Sequence, residues 1–257
     1  METLNLSAEI FLLLFCVGLA AGLVDSMAGG GGLIALPVLL FIGLPPQVAL
    51  GTNKLGGSFG TLSASYNFIK KGRVSFKQAL PGILFTFFGA CLGAVTVQLL
   101  DPAFIEPLIP VLLLVVFFYT LLTKQLGLAD QQARMNTRLF YALFGLGLGF
   151  YDGFFGPGTG SFWTFGLMFL LGFNMIKATA YTKVMNFTSN FVALLWFMAG
   201  NNVSYSIGLT MAAGQVIGAR IGSSLAIRKG AAMIRPLYLT IVLLTIGRLL
   251  YTNISSG

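Results

Sequence analysis

The sequence predicts an all-α integral membrane fold: about ten helical segments in two inverted five-segment repeats, each opening with a glycine-broken or re-entrant helix hairpin. Three observations carry this reading. The 257 residues are 56% hydrophobic and 9% charged, where a soluble domain carries ~25% charged residues. Apolar runs of about twenty residues recur along the chain, each long enough for a hydrocarbon core of ~30 Å. The second half also repeats the first at a nearly fixed spacing.

That spacing is 129 positions for Lys54 and Lys183, and for Val74-Ser75-Phe76 and Val203-Ser204-Tyr205. It also relates Gly89-Ala90-Cys91-Leu92-Gly93 to Gly218-Ala219-Arg220-Ile221-Gly222, and Ile105-Glu106-Pro107 to Ile234-Arg235-Pro236. Near the start of each half the spacing is 127, pairing Asp25 with Asp152, Gly29 with Gly156 and Gly31 with Gly158. Residues 1–128 are therefore read as the first transmembrane repeat and 129–257 as the second, inverted one, together forming one membrane domain.

The first half offers apolar segments at 9–24, 33–43, 47–69, 77–100 and 104–123; the second at 138–151, 161–172, 175–199, 204–227 and 233–251. The first segment is read as a retained helix, because Glu2 and Glu9 stand where a signal peptide carries basic residues. Each opening pair is interrupted by glycines, Gly29 to Gly32 in one half and Gly156-Pro157-Gly158-Thr159-Gly160 in the other. Either a broken helix or a hairpin returns the chain to the face it left.

Loop charges set the orientation, since Lys and Arg favour the cytoplasmic side. Lys70, Lys71, Arg73 and Lys77 make one loop basic, while its repeat partner holds Asn201 and Asn202. Arg228, Lys229 and Arg235 make another, whose partner carries Asp101 and Glu106. Equivalent loops thus fall on opposite sides. The linker with Lys124, Arg134 and Arg138 is cytoplasmic, and both termini are expected on the periplasmic side.

Six ionisable residues fall within or at the ends of these segments: Asp25, Lys54, Asp152, Lys183, Arg220 and Arg248. On insertion scales each costs ~2.5–3.5 kcal/mol at the bilayer centre, so each needs a partner, water or a route to the interface. Arg220 and Arg248 are near enough to segment ends to snorkel. Lys54 and Lys183 lie deeper, and facing one cavity they suit a doubly charged oxyanion. Asn53, Thr182, Asn186 and the N–H groups of Gly30, Gly31, Gly32, Gly158, Thr159 and Gly160 are candidates to complete its coordination. Asn190 shares nearly the same helical face as Lys183 and Asn186. Close helix packing is the competing account of the glycines, and interhelical hydrogen bonding that of the asparagines. Asp25 and Asp152 are candidate proton carriers, with helix caps or salt-bridge partners of these lysines as the alternative. Cys16 and Cys91 fit neither a disulfide framework nor a metal site, and the chain has no histidine. No cofactor, metal or nucleic acid is expected; membrane lipid, a small anion and protons are the expected partners. The sequence neither requires nor forbids a homo-oligomer.

Asp25-Ser26-Met27-Ala28-Gly29-Gly30-Gly31-Gly32-Leu33 and Thr52-Asn53-Lys54-Leu55 resemble first-half motifs of the TauE/SafE sulfite exporter family. Tyr151 to Phe162, Ala178-Thr179-Ala180, Lys183 and Asn186-Phe187 resemble its second-half motif. The resemblance covers nearly the whole chain and implies a secondary transporter of sulfite, sulfonates or related anions in the bacterial inner membrane, usually an exporter. It leaves substrate, direction and coupling open. A passive anion channel, a scaffold subunit and an intramembrane aspartyl protease are the competing readings. The protease lacks its Gly-Leu-Gly-Asp sequence and gives no reason for paired lysines.

Overall fold

The structure, a computed structural model, describes residues 7–122 and 129–229. These form nine α-helices and no strand: α1 (Ala8–Ala28), α2 (Gly32–Phe41), α3 (Pro46–Lys70), α4 (Phe76–Leu99), α5 (Pro102–Leu122), α6 (Thr137–Phe154), α7 (Thr159–Leu171), α8 (Met175–Ala199) and α9 (Tyr205–Lys229). The expected tenth segment, 233–251, lies outside the described residues together with Lys124, Arg235 and Arg248. α1 and α6 each run several residues past their expected ends at 24 and 151. The helical pattern continues through Asp25 and Asp152 and stops only where glycine releases the backbone.

At both interruptions the chain folds back. Gly31 sits against Ala21 and Asp25 of α1; a Cβ there would lie 2.7 Å from the Ala21 carbonyl oxygen. In a continuous helix residues ten apart would be separated by ~15 Å along the axis. α7 likewise returns along α6, with Gly166 against Phe140 and Phe144. Of the two sequence alternatives, hairpin geometry is the one seen in both places.

The principal packings come in matched pairs. α1 lies along α9 and α4 along α6, while α3 packs on both α8 and α9 and α4 packs on α8. Glycines line these contacts and let the backbones come close. Gly18 and Gly22 of α1 lie against the backbone at Met211 and Gln215, and Gly214 and Gly218 of α9 against that at Phe15 and Leu19; across α4–α6, Gly89 and Gly93 lie against Leu146 and Phe150, and Gly149 and Gly153 against Thr86 and Ala90. With no Cβ between them the backbones approach directly, the small-residue seam of closely packed apolar helices.

α3 and α8 run antiparallel through the middle. At one end the Ser75 N–H after α3 donates to the Tyr181 hydroxyl of α8 at 3.0 Å. At the other the Ser204 N–H after α8 donates to Thr52 Oγ1 of α3 at 2.9 Å. The second bond is the first displaced by 129 positions in both partners.

Charge and apolarity are distributed inside out. Lys54, Asp152, Lys183, Thr182, Asn186 and Ser189 are buried, while Phe76, Leu84, Phe88, Leu143, Leu195 and Trp196 are exposed. By length and composition α1 and α4 are apolar enough to cross a membrane. α3 and α8, at 25 residues each, dilute that character with their lysine and its polar neighbours. Arg220 is exposed on the outer side of α9.

Candidate functional site

The two glycine turns meet in the centre of the bundle. Gly29, at φ 73°, lies against Gly160, and a Cβ on Gly160 would fall 2.6 Å from the Gly29 Cα and 2.9 Å from Asn186 Nδ2. Neither position admits a side chain. Breaking α1 here leaves terminal carbonyls without helical partners. The Ser161 hydroxyl satisfies two, donating to Ala28 O at 3.1 Å and Gly29 O at 2.6 Å.

Two buried ion pairs flank this contact. Lys54 Nζ of α3 donates to Asp152 Oδ1 of α6 at 2.5 Å. Lys183 Nζ of α8 donates to Asp25 Oδ2 of α1 at 3.0 Å and to the Asp25 carbonyl. Each lysine is thus neutralised by the other half's aspartate, and the side chains of both are at most 1% exposed. Such a burial requires a partner of opposite charge and hydrogen bonds for the remaining polar valences.

The carboxylates differ in their second contacts. Asp25 Oδ1 accepts from Gly30 N at 3.1 Å and Gly31 N at 3.3 Å. The residue corresponding to Gly30 is Pro157, which has no N–H to offer. Asp152 Oδ2 instead accepts from the Ser189 hydroxyl of α8. Two differences between the halves, Pro157 at the position of Gly30 and Ser189 at that of Gly60, thus accompany the different second contacts of the carboxylates.

Between the turns is a cavity of about 30 Å³, room for roughly one or two waters. It is lined by Asp25, Gly31, Gly32, Asn53, Lys54, Asp152, Gly158, Thr159, Gly160 and Asn186 among the residues singled out in the sequence. Gly30, Thr182 and Lys183 are not on its wall. Gly30 turns its N–H to Asp25, Thr182 shares a hydrogen bond of 3.1 Å with Thr164, and Lys183 meets the cavity through Asp25. Asn186 Oδ1 is buried without a hydrogen-bond partner among the described residues, leaving an acceptor for a donor in the cavity such as water.

Gly57, Thr61, Gly156, Asn190 and Gln215 complete the lining. Gln215 of α9 is absent from the sequence-level set because its repeat position is Thr86, so the repeat gives it no emphasis. Its amide rests against Gly56 and Gly60, where Cβ atoms would come within 2.6 and 2.7 Å of it. Ser189 escaped notice for the same reason, since its counterpart is Gly60.

A family model described as sulfite exporter TauE/SafE matches residues 14–249. The chain belongs to this family. Relatives resemble this TauE/SafE chain over nearly their whole length. A probable membrane transporter protein of Haemophilus influenzae is 40% identical over 248 residues, covering 96% of this chain and 97% of the relative. The probable membrane transporter protein YfcA of Escherichia coli is 41% identical over 257 residues, covering 98% and 96%. The probable membrane transporter protein YunE of Bacillus subtilis is 26% identical over 272 residues, covering 96% and 99%. No solved structure matches the chain. The two ion pairs thus belong to a TauE/SafE protein whose similar relatives carry transporter names.

Proposed function

We propose that this chain is a secondary active transporter that moves a small sulfur-containing oxyanion, such as sulfite or an organosulfonate, across the bacterial inner membrane by alternating access. The observation that carries the reading is the exchange of partners between halves, Lys54 with Asp152 and Lys183 with Asp25. The 129-residue register, the paired packings and the antiparallel α3 and α8 support two inverted repeats, residues 1–128 and 129–257. The apolar outer surface supports a lipid surround, each exposed aliphatic side chain being at home in hydrocarbon.

The site binds by substitution. Its two lysines and two aspartates sum to zero, so a bare anion cannot enter without an uncompensated charge. A substrate oxygen takes the place of one carboxylate on its lysine; one proton taken up by the released Asp25 or Asp152 restores neutrality for a singly charged anion, and a doubly charged one requires protons on both. Anion and proton movement are thereby coupled. Asn53, Asn186, Asn190 and Gln215 supply amide contacts, and the polypeptide's turn at Gly158 to Gly160 contributes backbone. Because both pairs join the two halves, exchanging carboxylate for substrate also loosens one half from the other, the step that rocking requires.

A central cavity of about 30 Å³ is too small for a continuous aqueous pore, which favours a carrier over a passive anion channel. A protease dyad needs two carboxylates sharing a proton, whereas here each is held by its own lysine. The basic loop at 70–77 and the 129–136 linker meet at the start of α8, which supports a shared cytoplasmic face and periplasmic termini; export as the direction rests on the family resemblance alone. Purified protein in proteoliposomes tests the proposal: sulfite flux that saturates, shows counterflow and disappears in Lys54→Ala and Lys183→Ala supports it. Conductance without counterflow identifies a channel instead.

A further inference from the structure

We propose that the basic pocket where α3 gives way to α4 and α8 begins is a second anion site, which captures substrate from one face of the membrane before it reaches the central cavity. The inference rests on the transporter reading above, but on residues outside the central site. The pocket has a volume of about 410 Å³ and is lined by Arg73, Ser75, Gln78, Asn174, Lys177 and Tyr181. That lies within the ~300–1,000 Å³ of small-molecule sites and is more than ten times the central cavity.

Its chemistry is that of an anion receptor for a sulfonate or similar oxyanion head with a small apolar body. Arg73 has no ion-pair partner among the described residues, so its planar fork of donors is free for a two-oxygen contact. Lys177 Nζ lies 3.3 Å from Asp130 Oδ2 and 4.2 Å from the Phe173 ring centroid. Counting Asp130, the local balance of these three groups is one positive charge. Tyr181, buried at the inner wall, accepts from Ser75 N and donates to Gln78 Oε1 at 2.7 Å. Two residues further along α8 is Lys183. α8 thus runs from the pocket wall toward the central pair, with Tyr181 turned to Ser75 and Gln78 and Lys183 to Asp25.

The other end of the bundle shows what the bare architecture produces. There the repeat-equivalent hydrogen bond, Ser204 N to Thr52, is made, but Asn202, Val48 and Ile207 occupy the positions of Arg73, Lys177 and Gln78. Val48, Val203 and Ile207 are 7%, 5% and 1% exposed and close the space with aliphatic packing. The same backbone arrangement is thus hollow and cationic on one face, and filled and neutral on the other. General loop basicity accounts for charge at this face, but not for a pocket around it.

Vesicles of each orientation, assayed with sulfite and with methanesulfonate, test the capture site. Arg73→Gln and Lys177→Gln should raise KM roughly tenfold from the pocket's face, the loss of a charged hydrogen bond, with KM from the opposite face unchanged. Arg73→Lys, which keeps charge without the fork, should fall between. Lys71→Gln, in the same loop but off the pocket wall, should leave KM unchanged. An equal rise in Lys71→Gln, or equal rises from both faces, overturns the capture site. So does wild-type KM in both Gln variants while Lys54→Ala abolishes flux, an outcome that leaves the central site standing. Normal flux in Lys54→Ala and Lys183→Ala instead overturns the central reading.

Discussion

Lys54 and Asp152 are 98 residues apart in the chain and form a buried ion pair of 2.5 Å between its two halves. Neither could remain charged there alone. Lys54→Ala leaves Asp152 buried without its cation, a loss of ~3–5 kcal/mol for breaking one side of a buried pair. The combined Lys54→Met and Asp152→Asn change removes both charges and should recover much of the stability but none of the flux. Thermal unfolding in detergent, read beside transport, separates the two effects.

The glycine seams predict a graded response along a single helix. Alanine at Gly149 places its Cβ 2.6 Å from the Thr86 carbonyl oxygen, whereas Gly147, two residues earlier, has nothing within 4 Å. Gly149→Ala should therefore destabilise by ~1–3 kcal/mol through overpacking. Gly147→Ala should stabilise slightly, by ~0.5–1 kcal/mol, as alanine replaces glycine within a helix. Equal unfolding temperatures for the two variants would remove the seam from the account.

Gln215 is expected to act on affinity. Gln215→Leu should raise KM for sulfite several-fold with little change in unfolding temperature. Gly60→Ala, whose Cβ meets Gln215 Oε1 at 2.7 Å, should displace the amide and produce the same change. In the double variant Gly60→Ala with Gln215→Leu the two effects should not add, because they act on one group.

Outside the helical core, Asp130 ties the linker to the start of α8. The Asn174 backbone N–H, at 2.7 Å, is the main cause holding its carboxyl below the ordinary value of 3.8, with Lys177 beside it. A lowered folded-state pKa contributes stability above the unfolded value, and that contribution is lost as pH falls through the lowered one. Proteolysis of the linker should therefore accelerate below pH 3.8 in the native protein. In Asp130→Asn it should already be faster at neutral pH and show no such rise.

Much of the architecture was legible because apolar length and glycine placement act locally. The 175–199 segment matches α8 residue for residue, and α2 through α9 fall within two residues of expectation at most ends, the last turn of α6 excepted. α1 and α6 outrun the apolar segments that end at 24 and 151, because each aspartate's carboxylate is compensated by a lysine far away in sequence. That cross-pairing is a tertiary fact, which the 129-residue spacing alone does not contain. Thr182 shows the limit of proximity arguments: adjacent helical residues point ~100° apart, so a neighbour of Lys183 contacts Thr164 instead of the cavity. Gln215 was invisible because its importance comes from where α9 lies, not from any pattern in its own segment.

Sulfite counterflow in proteoliposomes holding wild-type, Lys54→Ala or Lys183→Ala protein bears most directly on the lysine–aspartate site. The account predicts saturable counterflow in the wild type, dependent on pH, and its loss in both variants even where folded protein is recovered. Wild-type counterflow in both lysine variants would contradict it.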